Sequence, residues 1–188
     1  MKTDALYQIA LRNILDSGDL VNTRNSLTYS KFDLNPITFT STPLVTLRRT
    51  AWRLAIREME WFISGESQCP PEIFHWWKGQ LGLNNEYKGG YAHQYRLSGT
   101  SSSFDQIQYL LNGLRNNPNS RRLVMTTWNP SDMANITELN HNPNTPSCCH
   151  GSMVQLFVRE GSLFMTHYQR SADMLLGIIH KDVYKRQK

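Results

Sequence analysis

Pro146-Ser147-Cys148-Cys149-His150, then the runs Met153–Val158 and Leu163–Tyr168 joined by Arg159-Glu160-Gly161-Ser162, and then Gln169-Arg170-Ser171-Ala172-Asp173 form the stretch that decides how this chain is read. Both runs are rich in aliphatic, aromatic and β-branched residues, and a Gly-containing tetrapeptide between them predicts a β-hairpin. Closing that hairpin brings Cys149, just before the first strand, near Arg170, just after the second. A neighbouring cation favours thiolate over thiol. The pair is therefore a candidate nucleophilic site. The structural alternative is a small buried cysteine and a solvated arginine.

Working outward, 188 residues suffice for one domain with a real core. Hydrophobic residues make up 39% and charged residues 19%, as in a globular chain, and no apolar run approaches a membrane span. The polar, helix-like start at Met1 does not read as a signal peptide, so the cytoplasm is the expected compartment. Three cysteines, two of them adjacent, do not form a disulfide framework. Cys69, Cys148, Cys149 and His150 lack zinc-ligand spacing, so no metal is expected. A net charge of +5 suits anionic ligands, but no basic stripe interleaved with aromatics marks a nucleic-acid groove.

Upstream, residues 4 to 17 read as an amphipathic helix. Leu6, Ile9, Ala10 and Ile14 form its stripe, Asp4 its cap and Gly18 its stop. A polar loop around Arg24 leads to a strand from Leu27 to Phe32. A second helix is expected from about Thr50 to Ser64, with Leu47, Ala51, Leu54, Ala55, Met59 and Phe62 on one face. Glu58 falls on that face. A buried carboxylate must be paired, as by Arg53 or Arg57, or protonated, or open to a wet cleft as an acid or base. Residues 68 to 100 read as irregular and aromatic, a core cluster or a platform for flat heterocycles. Ser103-x-x-Gln106 reads as a capping box for a third helix with stripe Ile107, Leu110, Leu111 and Leu114. A strand from Leu123 to Trp128 follows Ser120-Arg121-Arg122, and residues 131 to 145 read as a polar loop.

Several motifs point one way together: Pro-Leu-Val-Thr at Pro43; Arg53, Glu58, Trp61, Phe62 and Gly65; Tyr91-Ala92-His93-Gln94-Tyr95-Arg96; Ser-Arg-Arg, strand, Trp-Asn-Pro; Cys149-His150 with Gln155; and Tyr-Gln-Arg-Ser-x-Asp-x-x-Leu-Gly. The composite, spanning roughly residues 5 to 180, resembles the thymidylate synthases and the related pyrimidine nucleotide hydroxymethylases. The resemblance implies an α+β fold, a mixed β-sheet flanked by helices, with a sheet face forming a homodimer interface. It implies reductive methylation of dUMP to dTMP by 5,10-methylenetetrahydrofolate, with Cys149 adding to C6 of the pyrimidine. It implies that Glu58 and Tyr91 handle protons and that Arg170 and Asp173 join Cys149 in the catalytic set. It implies that Arg24, Gln169, Arg170, Ser171, Ala172 and Asp173 bind substrate, joined by Arg121 and Arg122 from the partner subunit, and that Trp77, Asp173, Leu176 and Gly177 meet the folate.

This sequence departs from the pattern at Ala51, where many members carry a folate-contacting His, at Tyr95 in place of Trp, and at Cys148 in place of Pro. The segment after Gly177, which would separate uracil from cytosine substrates, does not match. Residues 1–181 are thus expected to be a C-terminally truncated domain of this kind, inactive as a fragment, and 182–188 a non-native scar. The alternatives are a dCMP or dUMP hydroxymethylase, a non-catalytic RNA-binding module, or a thiol-redox protein using Cys148 and Cys149.

Overall fold

A computed structural model describes residues 3–23, 26–40, 43, 45–47, 49–99, 103–130 and 152–175. Helices and antiparallel sheets are mixed, as an α+β chain requires. They form two compact units, Met1–Ala51 with Asp173–Lys188, and Trp52–Ala172. Among the described residues no helix is long and apolar enough to cross a membrane.

The first unit contains α1 (Thr3–Ser17), β1 (Asp19–Asn22) and β2 (Leu27–Ser30). β1 and β2 pair antiparallel, with Leu20 opposite Tyr29. Gly18 joins helix to strand because its N–H closes on the Ile14 carbonyl at 2.9 Å. A Cβ there would stand 2.4 Å from that same oxygen, so a side chain is excluded. The helix buries Tyr7 and Ala10, whereas Ile9, expected on the stripe, is 56% exposed. Tyr7 sets the face, since its hydroxyl donates to the Met174 carbonyl at 2.8 Å. Asp4 does not act only at the helix start: its carboxylate accepts from the Thr46 N–H at 2.7 Å and from the Thr46 hydroxyl. β2 stops at Ser30, short of the expected Phe32.

The second unit is built on α2 (Trp52–Ser64), α3 (Phe74–Trp77), α4 (Tyr91–Arg96), α5 (Gln106–Asn116), β3 (Val124–Thr126), β4 (Ser152–Arg159) and β5 (Ser162–Gln169). α2 buries Trp61 and Phe62 and turns Leu54 and Glu58 partly inward, at the i, i+4, i+7, i+8 spacing of one helix face. Met59, expected on that face, lies outside this stripe and is 47% exposed. Gly65 ends the helix with a φ of +84°, and a Cβ there would meet the Arg96 side chain of α4 at 2.9 Å.

Residues 68 to 100 carry more regular structure than their composition suggests. α3, a 3-10 turn at Leu83–Asn85 and α4 occupy this stretch. Their rings pack with α2: Trp61 meets Trp77 edge-on at 5.4 Å, and Trp77 meets Tyr87 at 4.9 Å. Such pairs each add about 0.5–1.5 kcal/mol beyond the area they bury. The core-cluster reading therefore holds for Trp77, Tyr87 and Tyr95, all buried.

At the start of α5 the expected capping box gives way to another arrangement. Asp105 is the cap, its carboxylate accepting the Gln108 N–H at 2.8 Å. Gln106 is instead buried. Its amide donates to the Gln94 and Thr126 carbonyls, both at 2.7 Å, and accepts the Thr126 N–H at 2.9 Å. One side chain thus ties α4, α5 and β3 together. Leu110 is buried as expected, but Leu111 is 42% exposed.

The sheet has the order β3-β4-β5, antiparallel throughout. Arg159 pairs with Ser162, so Glu160 and Gly161 form a two-residue turn with φ of +50° and +73°. Both positive values match the turn whose twist fits a tight hairpin. The expected hairpin is present, and its strands are one residue longer at each end than the apolar runs.

Candidate active site

The proposed site residues fall into groups according to the elements that carry them. Arg24, Cys148, Cys149, His150, Leu176 and Gly177 lie outside the described residues.

Glu58 sits half-buried on α2. The buried Trp77, from α3, donates its indole N–H to Glu58 Oε1 at 2.5 Å. Trp77 is held by Trp61, Phe62 and Tyr87, so the donor is fixed before any ligand arrives. The two arginines considered as partners are engaged elsewhere as well. Arg57 bonds Glu60 at 3.3 Å and lies 3.6 Å from Glu72, and Arg53 lies over the Trp52 ring. Tyr91 opens α4 with its ring 4.7 Å from Phe62, which also touches Trp77 at 5.6 Å. Glu58, Trp77 and Tyr91 thus share one aromatic cluster.

Gln169 and Arg170 lie at the end of the three-stranded sheet where β3 and β5 finish. Arg170 follows the last residue of β5, and its guanidinium lies 5.6 Å from the centroid of the Trp128 ring. Gln169 donates to the Ser171 carbonyl at 3.0 Å, which folds the chain back just past the strand. Ser171 and Ala172 are exposed. Arg121 and Arg122 precede β3, at the opposite end of the sheet from Arg170, and are exposed. The Arg122 backbone is fixed, with its N–H donating to Ser120 Oγ at 3.2 Å and its carbonyl accepting from the Tyr109 hydroxyl at 2.8 Å. Asp173, in the first unit, accepts the Leu175 N–H at 2.9 Å.

Two residues were passed over as individuals when the sequence was read. Trp128 appeared as the end of a strand and as part of Trp-Asn-Pro, with no partner assigned to its ring. Gln106 looked like half of a capping box. No local pattern distinguishes that role from a buried amide crossing to a distant strand.

A chain with helices on an antiparallel sheet, an arginine at a hairpin end and a carboxylate bonded to an aromatic cluster matches the family model for thymidylate synthase over residues 5–183. The chain belongs to that family. Among relatives, it is 33% identical to the bifunctional dihydrofolate reductase-thymidylate synthase 1 of Arabidopsis thaliana over 202 aligned positions. That alignment covers 92% of this chain and 37% of the relative. The second Arabidopsis bifunctional protein is 32% identical, with 92% and 34% covered. The Zea mays bifunctional dihydrofolate reductase-thymidylate synthase is 31% identical, with 72% and 29% covered. The chain spans about a third of the length of these relatives.

Proposed function

We propose that this chain carries the nucleophile-bearing part of a thymidylate synthase, which converts dUMP to dTMP with 5,10-methylenetetrahydrofolate as co-substrate. Family membership supports this, and the single structural observation that carries it is the hairpin. Its closed register sets Ser152 opposite Gln169. Ser152, the first residue of β4, thus stands beside the strand end that delivers Arg170. Cys149 precedes Ser152 by three residues, a span of at most about 11 Å of extended chain.

In this reading the Cys149 thiolate adds to C6 of the uracil ring, and the C5–C6 π electrons move to C5 as an enolate that can attack an electrophile. The folate, as co-substrate, supplies the one-carbon unit and then the hydride. Loss of the C5 proton and expulsion of the thiolate restore the ring. Glu58, held by Trp77, and Tyr91 move protons at the pyrimidine. Arg24, Arg170 and Ser171, with Arg121 and Arg122 of a second copy, clamp the phosphate and so orient the ring. Gln169, Ala172 and Asp173 line the substrate.

The donor set fits a folate in one respect and qualifies it in another. Asp173 is an acceptor of the kind that suits pterin ring N–H groups, and Leu176 and Gly177 follow it in sequence. Trp77, being buried, serves that ligand through the carboxylate it holds rather than through its ring face.

The second copy is proposed on the sheet. Met153, Phe164 and Tyr168 occupy one face of the β4–β5 ribbon and are 40%, 56% and 57% exposed. An apolar sheet face of this kind suits a two-fold partner.

The chemistry is tested by covalent capture of 5-fluoro-dUMP with methylenetetrahydrofolate, followed by mass spectrometry. The expected result is an adduct that Cys149→Ala abolishes and Cys148→Ala spares. Equal loss from both variants would contradict the assignment of the nucleophile.

A further inference from the structure

Trp128 takes no part in the proposed chemistry, yet the structure gives it a defined place. It leaves β3 at the end of the sheet where Arg170 leaves β5, and the central strand β4 lies between them. Its ring and the Arg170 guanidinium approach to 5.6 Å, so the pair spans the mouth of β4.

The backbone that carries the ring is tied down. The Trp128 N–H donates to Thr126 Oγ1 at 3.1 Å. Thr127 is buried, its N–H donating to the Ser152 carbonyl at 2.9 Å while its hydroxyl accepts the Ser152 N–H at 3.0 Å. These bonds anchor the main chain that carries the indole at the sheet end. Arg170, by contrast, is an exposed side chain with many rotamers. Among the described residues no carboxylate pairs with it at ion-pair distance.

We propose that Trp128 is a positioning residue for Arg170, presenting a π face from an anchored strand end that holds the guanidinium over the sheet end and leaves its N–H edge to a phosphate. The chemistry favours this division. Attraction to a ring uses the face of the guanidinium, whereas bidentate anion binding uses the in-plane donors, so the two do not compete. A cation held by a carboxylate would instead lose charge and donors to its partner. This role rests on the proposed function of Arg170 and adds a residue to it.

The test is dUMP binding to the full 188-residue chain by calorimetry, in the wild type, Trp128→Leu, Trp128→Phe and Arg170→Ala. Trp128→Leu is expected to weaken dUMP about two- to fivefold, the size of an exposed cation–π contact. Trp128→Phe should restore most of that loss, and Trp128→Leu should cost nothing further once Arg170 is Ala. Binding that Trp128→Leu leaves unchanged, or a loss that persists in the Arg170→Ala background, overturns the positioning role alone. A wild-type chain that binds neither dUMP nor inorganic phosphate overturns the anion reading, and the role with it. Should Trp128→Leu fail to fold, NMR of the unaltered chain decides. The Arg170 Hε resonance should be displaced upfield by the indole ring current, and a resonance at its ordinary position overturns the proposal.

Discussion

The bond between Trp77 and Glu58 shows what a single residue contributes to this site. A hydrogen bond to a charged group contributes about 1.5–3 kcal/mol, and removing the donor leaves the acceptor without that bond. Trp77→Phe keeps the ring in its cluster but removes the N–H that reaches Glu58 Oε1 at 2.5 Å. It is expected to lower unfolding free energy in urea by about 1.5–3 kcal/mol. Some of that loss is altered packing, so the same substitution should be made beside Glu58→Gln. The cost must then fall clearly, and an unchanged cost in both backgrounds would mean the indole does not hold the carboxylate. Sequence reading found both residues but not their bond. Glu58 stood out because a carboxylate interrupts an apolar stripe at helical spacing. Its partner is nineteen residues away across an irregular segment, and no period connects the two.

At the scale of elements, the hairpin was legible and the 68 to 100 segment was not. Two β-branched, aromatic runs around a Glu-Gly turn leave one economical pairing, and Arg159 opposite Ser162 realises it. Short helices such as α3 and α4 are too brief to show a repeat, and their formation depends on the rings that pack against α2. The hairpin also carries a histidine whose proton affinity is altered by folding. His167, opposite Val154 on β5, has its imidazole held below the ordinary value because apolar surroundings disfavour the charged ring, although the residue is exposed overall. The folded chain then binds fewer protons than the unfolded one below the ordinary histidine range, so stability is fullest above it and declines as pH falls through the folded value. Between about pH 7.5 and about pH 5.5 the wild type should lose more stability in urea than His167→Gln does. A wild type that gains on the variant as pH falls has its imidazolium stabilised by folding, the opposite of desolvation.

At the scale of the whole molecule, the sheet has two faces with different work. Val154 and Leu156 pack, with Met125, against the aromatic core, while alternate residues Met153, Phe164 and Tyr168 point the other way and stay exposed. Strand alternation makes this unavoidable once one face is buried. It also explains why an apolar pattern on both faces was visible in sequence, whereas what covers the second face was not. If that face meets a second copy, as proposed, then Arg121 and Arg122, exposed at the start of β3, stand at the rim of the same sheet and reach the partner's phosphate site. Phe164→Lys places a charge on the exposed face of the ribbon, opposite Phe157, without disturbing the buried core. Sedimentation velocity should show a two-fold species in the wild type and a monomer in Phe164→Lys, with urea midpoints at low concentration little changed. Association that survives the lysine would put the interface elsewhere. The arginines would then have to serve their own subunit, and mixing Cys149→Ala with Arg121→Ala chains would restore no covalent capture of 5-fluoro-dUMP. A shared site predicts the contrary, since one mixed pairing joins an intact cysteine to an intact arginine.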